Sequence, residues 1–237
     1  MSGWAWTHMG SNRFGWDTQR IVFYVNTTGC TLPDSQLYAV IDRALAAWNR
    51  IPSINLELVR ASEPATNTEA QFRAGTATQL PMIVCSSQLN DYSGVDANST
   101  LAFVPFFQAN SAGHVTYSGL VLNAQVGAAA ELSQYAEGEL ELILGHEIGH
   151  VLGLGHSSDP DALMFYQLNK EFLLITRDDQ DGMAQLYPAN ALAELFGCAA
   201  VHQKKTRVPW AALFLFLIWF FALFSLGRRY SNIEPLL

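Results

Sequence analysis

Apolar residues along this chain fall into runs and periods that predict alternating strands and helices. Arg20 to Asn26 carries Ile21, Val22, Phe23, Tyr24 and Val25 without a break, as a buried strand does. Asp34 is placed to cap the next element, where Leu37, Val40, Ile41, Ala44, Leu45 and Trp48 recur at helical spacing until Pro52 closes it. Ile54 to Val59 alternates as a strand, so strand, helix and strand make a βαβ unit with the helix on one face of a parallel pair. Residues 61–79 are polar, rich in Ala and Thr and without a usable period, which reads as a surface loop. Met82 to Cys85 is a short third strand; Leu101 to Phe107 and His114 to Asn123 are two more, joined through Ala109 to Gly113. From about Glu137 a helix carries Leu140, Ile143, Leu144, Ile148 and Val151 on its apolar positions. Thr176-Arg177-Asp178-Asp179 is a capping box that opens a last helix reaching about Leu186.

Composition narrows the reading. The sequence has 237 residues, 50% of them hydrophobic, enough for one ordinary domain with its own core and further segments. Its net charge of -8 argues against a nucleic-acid surface, which needs clustered Lys and Arg. Much of the apolar fraction lies near the C-terminus. Residues 210–226 contain no charge, and as a helix they would span about 26 Å, near the lower limit for crossing a bilayer core. Lys204, Lys205 and Arg207 precede this run and Arg228 and Arg229 follow it, so flanking charge does not set an orientation. Cys30 and Cys85 fall in the globular part and can pair in an exported domain, although spacing alone leaves that open. Cys198 stands just before the apolar run, as an incidental thiol or a site of lipid attachment or processing.

The chemistry concentrates in His146-Glu147-Ile148-Gly149-His150-Val151-Leu152-Gly153-Leu154-Gly155-His156. On a helix His146 and His150 stand one above the other, so both imidazoles can hold one metal ion. Glu147, one position round, can take a proton from a water at that metal without becoming a ligand. Gly153 permits a left-handed cap that turns the chain and delivers His156 as a third ligand. Three protein ligands leave a fourth position open, the mark of a catalytic zinc site.

This run resembles the H-E-x-x-H-x-x-G-x-x-H signature of the metzincins, and Ser157 to Met164 resembles the matrixin form of the link to the Met-turn, with Met164 as the methionine under the ligands. The segment Ile175 to Pro188, with its Asp-Asp pair and terminal Leu186-Tyr187-Pro188, is similar to the closing helix of matrixin domains. The resemblance implies an α/β metzincin fold with a mixed twisted sheet and three main helices. It also implies a catalytic Zn2+ on His146, His150 and His156, and Glu147 as general base. Thr100 to Pro105 or its neighbour would be the sheet edge that takes a peptide substrate as an added antiparallel strand. Phe165 and Tyr166 depart from the Tyr and Pro that usually follow the Met-turn, which leaves the primed-side pocket undefined. Tyr166 stands two positions after Met164, as a metal-proximal Tyr does in astacins and serralysins, so it is a candidate for transition-state support, with a packed aromatic as the plainer reading. The family often carries structural Ca2+. Residues 86–99 hold Asn90, Asp91, Asp96 and Asn98, but their spacing matches no calcium loop and a solvated turn is preferred. His114 lacks the companion ligands of a structural zinc and reads as a surface or packing histidine.

The organisation expected is an N-terminal segment (1–19), a matrixin-like metallopeptidase domain (20–188), a linker (189–209), a transmembrane helix (210–227) and a basic tail (228–237). No signal peptide is visible in residues 1–19, so the export that the resemblance implies calls for a signal upstream or a chain already trimmed. The tail also resembles bacterial sorting tails, which implies recognition and cutting by a sorting or tail-processing enzyme at the cell envelope with the catalytic domain extracytoplasmic; a permanent single-pass membrane anchor is the plain alternative. The functional expectation is a zinc endopeptidase acting on protein or peptide substrates; the alternative is a membrane-tethered peptide-binding or adhesion module with little turnover.

Overall fold

A computed structural model describes residues 5–168 and 170–188. In chain order these form strand β1 (Arg20–Asn26), helix α1 (Asp34–Trp48), β2 (Glu57–Arg60), a short helix α2 (Glu69–Arg73), β3 (Met82–Ser86), β4 (Ala102–Phe103), β5 (Phe107–Ala109), β6 (Val115–Asn123), α3 (Glu137–Leu152) and α4 (Arg177–Leu186). Single turns of 3-10 helix lie at Leu89–Asp91 and Leu132–Gln134.

The six strands form one sheet in the order β2-β1-β3-β6-β4, with β5 also paired to β6. β1 runs parallel to β2 with Ile21 opposite Leu58, and parallel to β3 with Val25 opposite Ile83. β3 and β6 are parallel, whereas β4 and β5 run antiparallel to β6. The sheet is therefore mixed, and the βαβ unit read from the N-terminal pattern is present.

The unbroken apolar runs of β1 and β3, and the shorter run Leu120 to Leu122 in β6, follow from a sheet covered on both faces. Ile21, Phe23, Val25, Ile83, Cys85, Leu120 and Leu122 point into one core, shared with α1, α3 and α4. The intervening Tyr24, Met82, Val84, Tyr117 and Val121 face a second, smaller core under α2 and the following loops. That second core is aromatic: the Phe72 ring stacks on Tyr117 at 5.6 Å and meets Phe106 edge-on at 5.7 Å, and Tyr92 meets Phe103 edge-on at 5.2 Å. Gly119 lets Phe72 lie this close, since a Cβ there would be 2.9 Å from the Phe72 ring and 2.4 Å from Met82 O.

Four sequence expectations need correction. Residues 61–79 are not simply a surface loop: α2 lies within them, opened by a Thr68–Gln71 capping box, and Phe72 is wholly buried. A five-residue helix is too short to display a helical period. Asp34 is not the cap of α1; Pro33 holds that position, and Asp34 lies in the first turn, where its charge suits the helix dipole. The strand expected over Leu101 to Phe107 is two strands interrupted around Pro105, which has no N–H to give a ladder. The strand expected over Ile54 to Val59 is shorter at its start and one residue longer at its end. The Asn49 side-chain amide bonds both the N–H and the C=O of Leu58 at 2.8 Å, capping the outer edge of β2.

Cys30 and Cys85 are joined in a disulfide, with their Cα atoms 5.1 Å apart. In residues 86–99 the polar side chains are committed to the chain itself. Asn90 accepts from Ala97 N–H, Asp96 from Asn98 N–H and Asn98 from Ala129 N–H, and Asp91 pairs with Arg73. His114 is half-buried and stacked on Phe14 at 4.9 Å. The stretch preceding β1 packs along the ends of α3 and α4: Trp16 Nε1 donates to Val151 O at 3.0 Å, and the Tyr187 hydroxyl donates to Leu152 O at 2.8 Å while accepting from Trp16 N–H. Cys198, the linker, the expected membrane helix and the basic tail lie outside the described residues. Among the described residues no helix is long and apolar enough to cross a membrane.

Candidate metal centre

Helix α3 is fixed before it offers any ligand. Leu140, Leu144, Ile148 and Val151 are buried in the larger core, and Trp48 of α1 donates its indole N–H to Gly145 O at 2.9 Å. The helix ends at Gly153, whose φ of 113° places it in the left-handed region. Leu154 N–H bonds Gly149 O and Gly153 N–H bonds His150 O, both at 3.0 Å, which is the paired bonding of a Schellman turn. The chain then reverses and presents His156.

The structure brings the three histidines together. One ring nitrogen from each of His146, His150 and His156 lies within 4.8 Å of the others. His146 and His150 are buried and His156 is exposed. Nδ1 of His146 lies 2.8 Å from Leu163 O and Nδ1 of His150 lies 2.7 Å from Leu154 O. A carbonyl only accepts, so each Nδ1 carries the proton and each Nε2 keeps its lone pair for a metal. Burial drives the same outcome: it is the main cause that lowers His146 to about 4 and His150 to about 3, and it lowers His156 as well. At neutral pH the group is three neutral imidazoles, a donor set that suits zinc.

Glu147 shares the helix with two of these rings. Burial pushes its carboxyl up to about 8, and among the described residues no hydrogen bond or neighbouring charge offsets it. It is a carboxyl held close to the point of proton exchange at physiological pH.

Beneath the rings, Met164 is wholly buried against α3. A Cβ on Gly149 would lie 2.3 Å from the Met164 sulfur and 3.0 Å from Trp48, so only glycine admits both at this point of the helix. The turn carrying Met164 is held from α4. Asp179, fully buried, accepts from Leu163 N–H at 2.9 Å and Met164 N–H at 3.0 Å, and from the N–H and hydroxyl of Thr176, both at 2.8 Å. Leu163 O is the group that orients His146, so Asp179 acts on that ring through one peptide unit. Ser157, next to His156, donates its N–H to Met164 O at 2.8 Å and its hydroxyl to Asp178 at 2.7 Å.

The capping box at Thr176 to Asp179 is legible in the sequence, whereas the support that the same Asp179 carboxylate gives the Met-turn is not. The Asp-Asp pair was the available signal, since one carboxylate suffices for a cap. Tyr166 is 61% exposed with its ring 4.4 Å from Phe165, so it is not the packed aromatic of the plainer reading.

A mixed sheet backed by a helix that carries a His-Glu-x-x-His pair, with a third histidine beyond a glycine turn and a methionine beneath, defines a metallopeptidase-type α/β domain. The Matrixin family model matches residues 15–188, more than half of the chain, and the chain belongs to that family. It is similar to Metalloendoproteinase 2-MMP of Arabidopsis thaliana, 44% identical over 61 residues, covering 25% of this chain and 16% of that protein. It is also similar to Metalloendoproteinase 1 of Glycine max, 44% identical over 54 residues, covering 22% of this chain and 18% of the relative. Matrix metalloproteinase-16 of Homo sapiens is 24% identical over 175 residues, covering 73% of this chain and 27% of the relative. The chain thus spans under a third of the length of each of these relatives.

Proposed function

We propose that residues 15–188 form a zinc-dependent endopeptidase. The observation that carries this reading is the convergence of three neutral imidazoles, two of them on the buried helix that also carries the Glu147 carboxyl. His146, His150 and His156 would hold the metal, which when bound polarises a scissile carbonyl and acidifies a water molecule. Glu147 takes the proton of that attacking water and delivers it to the leaving amine, and its raised pKa suits a group that must both accept and return a proton near neutrality. Met164 and Asp179, both wholly buried, hold the floor beneath the rings. Strand β4 pairs only with β6 among the described residues, so its outer edge can receive an extended peptide as an antiparallel strand.

The same proposal places the domain outside the cytoplasm at the cell envelope, tethered through residues 210–227 or sorted there by an enzyme that processes the tail. The uncharged run at 210–226 with basic residues on both sides supports tethering, and the Cys30–Cys85 disulfide fits an oxidising compartment. Digestion of a peptide library by the purified protein tests the activity. Cleavage that a chelator abolishes and added zinc restores is expected; a zinc-loaded protein that binds peptides and cleaves none would instead indicate a binding module.

A further inference from the structure

Strand β4 is two residues long, paired to β6 through Ala102 opposite Leu122 and Phe103 opposite Val121. So short a ladder does not hold a strand in place by itself. Its start is fastened by the last residue of β6, Asn123, which is wholly buried. The Asn123 backbone N–H donates to Leu101 O at 2.7 Å. Its side-chain nitrogen donates to three carbonyls, Ala97 O at 2.7 Å, Thr100 O at 2.9 Å and Ala130 O at 2.9 Å. Asn123 Oδ1 accepts from Gln125 N–H at 3.0 Å, which sets the end of the amide that faces the carbonyls.

Ala97, Thr100 and Leu101 belong to the segment that runs into β4, and Ala130 to the connection from β6 into α3. The first segment turns on itself, Thr100 N–H bonding Asp96 O at 2.9 Å, and is joined to the sheet at Asn123. An amide NH2 has two hydrogens, here shared among three acceptors. A positive centre ringed by carbonyl oxygens is the arrangement that a bound hard cation makes, and here a neutral side chain supplies it. A carboxylate of the same shape would reverse the polarity. It only accepts, so it would set an oxygen against three oxygens, a group that a cation such as Ca2+ can hold together.

We infer that Asn123 is a positioning residue for the peptide-binding edge, its amide holding the start of β4 as a structural cation would, so that the edge keeps its place without calcium. The inference rests on the reading of β4 as the edge that receives the peptide. Backbone bonds to such an edge form alike in the ground state and the transition state, so loosening it raises KM and leaves kcat alone.

The test compares the full zinc-loaded chain with Asn123→Asp and Asn123→Ser, each stripped of calcium over a resin and again with millimolar Ca2+ at constant ionic strength. Zinc per chain, kcat, KM and melting temperature are read separately. Wild type should show the same KM and melting temperature in both media. Asn123→Asp without calcium should keep its zinc and kcat while KM rises by about tenfold, the order of one hydrogen bond. Added Ca2+ should bring its KM back towards wild type and raise its melting temperature. In Asn123→Ser, whose shorter side chain does not reach the carbonyls, KM should be raised in both media. An Asn123→Asp protein that folds only with calcium would support the inference; if it folds in neither medium, Asn123→Ser decides. A wild type whose KM or melting temperature depends on calcium would overturn the inference, as would zinc-loaded variants with unchanged KM. A zinc-loaded wild type that cleaves no peptide would overturn the endopeptidase reading, and the calcium response of Asn123→Asp melting would still decide the part of the amide.

Discussion

The two faces of the sheet are built by different means. One face carries α1, α3 and α4, long elements whose aliphatic positions recur with a clear period and whose packing fixes the histidines. The opposite face carries the five-residue α2 and connecting loops, sealed by Phe72, Tyr92, Phe103, Phe106 and Tyr117. The first face couples fold to chemistry, because the carboxylate and glycines that close its packing also set the rings. The second stabilises the same strands, and its core includes none of the three histidines, Glu147, Met164 or Asp179.

That division yields ordered predictions. Asp179→Ala should have the largest effect, because it strips four donors of a buried acceptor and frees the turn that orients His146. We expect a loss of about 4 kcal/mol or more in denaturant unfolding, since each orphaned buried donor costs about 1–3 kcal/mol, together with faster zinc release. Phe72→Ala should cost about 3–4 kcal/mol, as truncation of a buried aromatic does, yet the folded fraction should release zinc at the wild-type rate. Equal loss of metal retention in both variants would break the comparison.

A subtler effect concerns the metal-free protein. The Glu147 carboxyl lies at about 8 when folded and near 4.5 when unfolded. Stability is then undiminished below the unfolded value and falls as pH rises towards the folded one, because the unfolded chain gives up that proton first. Metal-free Glu147→Gln should therefore melt several degrees above metal-free wild type at pH 9 and together with it at pH 4, as thermal denaturation across pH would record. Met164→Leu should be smallest, costing under about 1.5 kcal/mol for a volume-conserving change, with zinc still bound.

Legibility followed the same division. The buried strand at Arg20–Asn26, the helix through Leu37 and Trp48 and the metal motif were readable because each is long or bound to a fixed chemical spacing. α2 escaped because Phe72 is its only buried residue and one apolar position makes no period. The break around Pro105 was visible as a residue type, but continuous apolar neighbours masked its consequence. Asp179 was read for its local role at Thr176, and its distant role needed the fold that brings Leu163 and Met164 to it. The N-terminal segment shows no period, and its contacts, from Trp6 and Trp16 on the core to the bond of Gly155 N–H to Thr7 O, depend on elements distant in sequence.

The most direct test of the account is a paired measurement on Glu147→Gln: bound zinc per chain and rate of peptide cleavage beside wild type. One zinc in both proteins with kcat/KM reduced by about 10²–10⁴ in the variant is the result the account predicts. Undiminished cleavage by a zinc-loaded Glu147→Gln protein would contradict it.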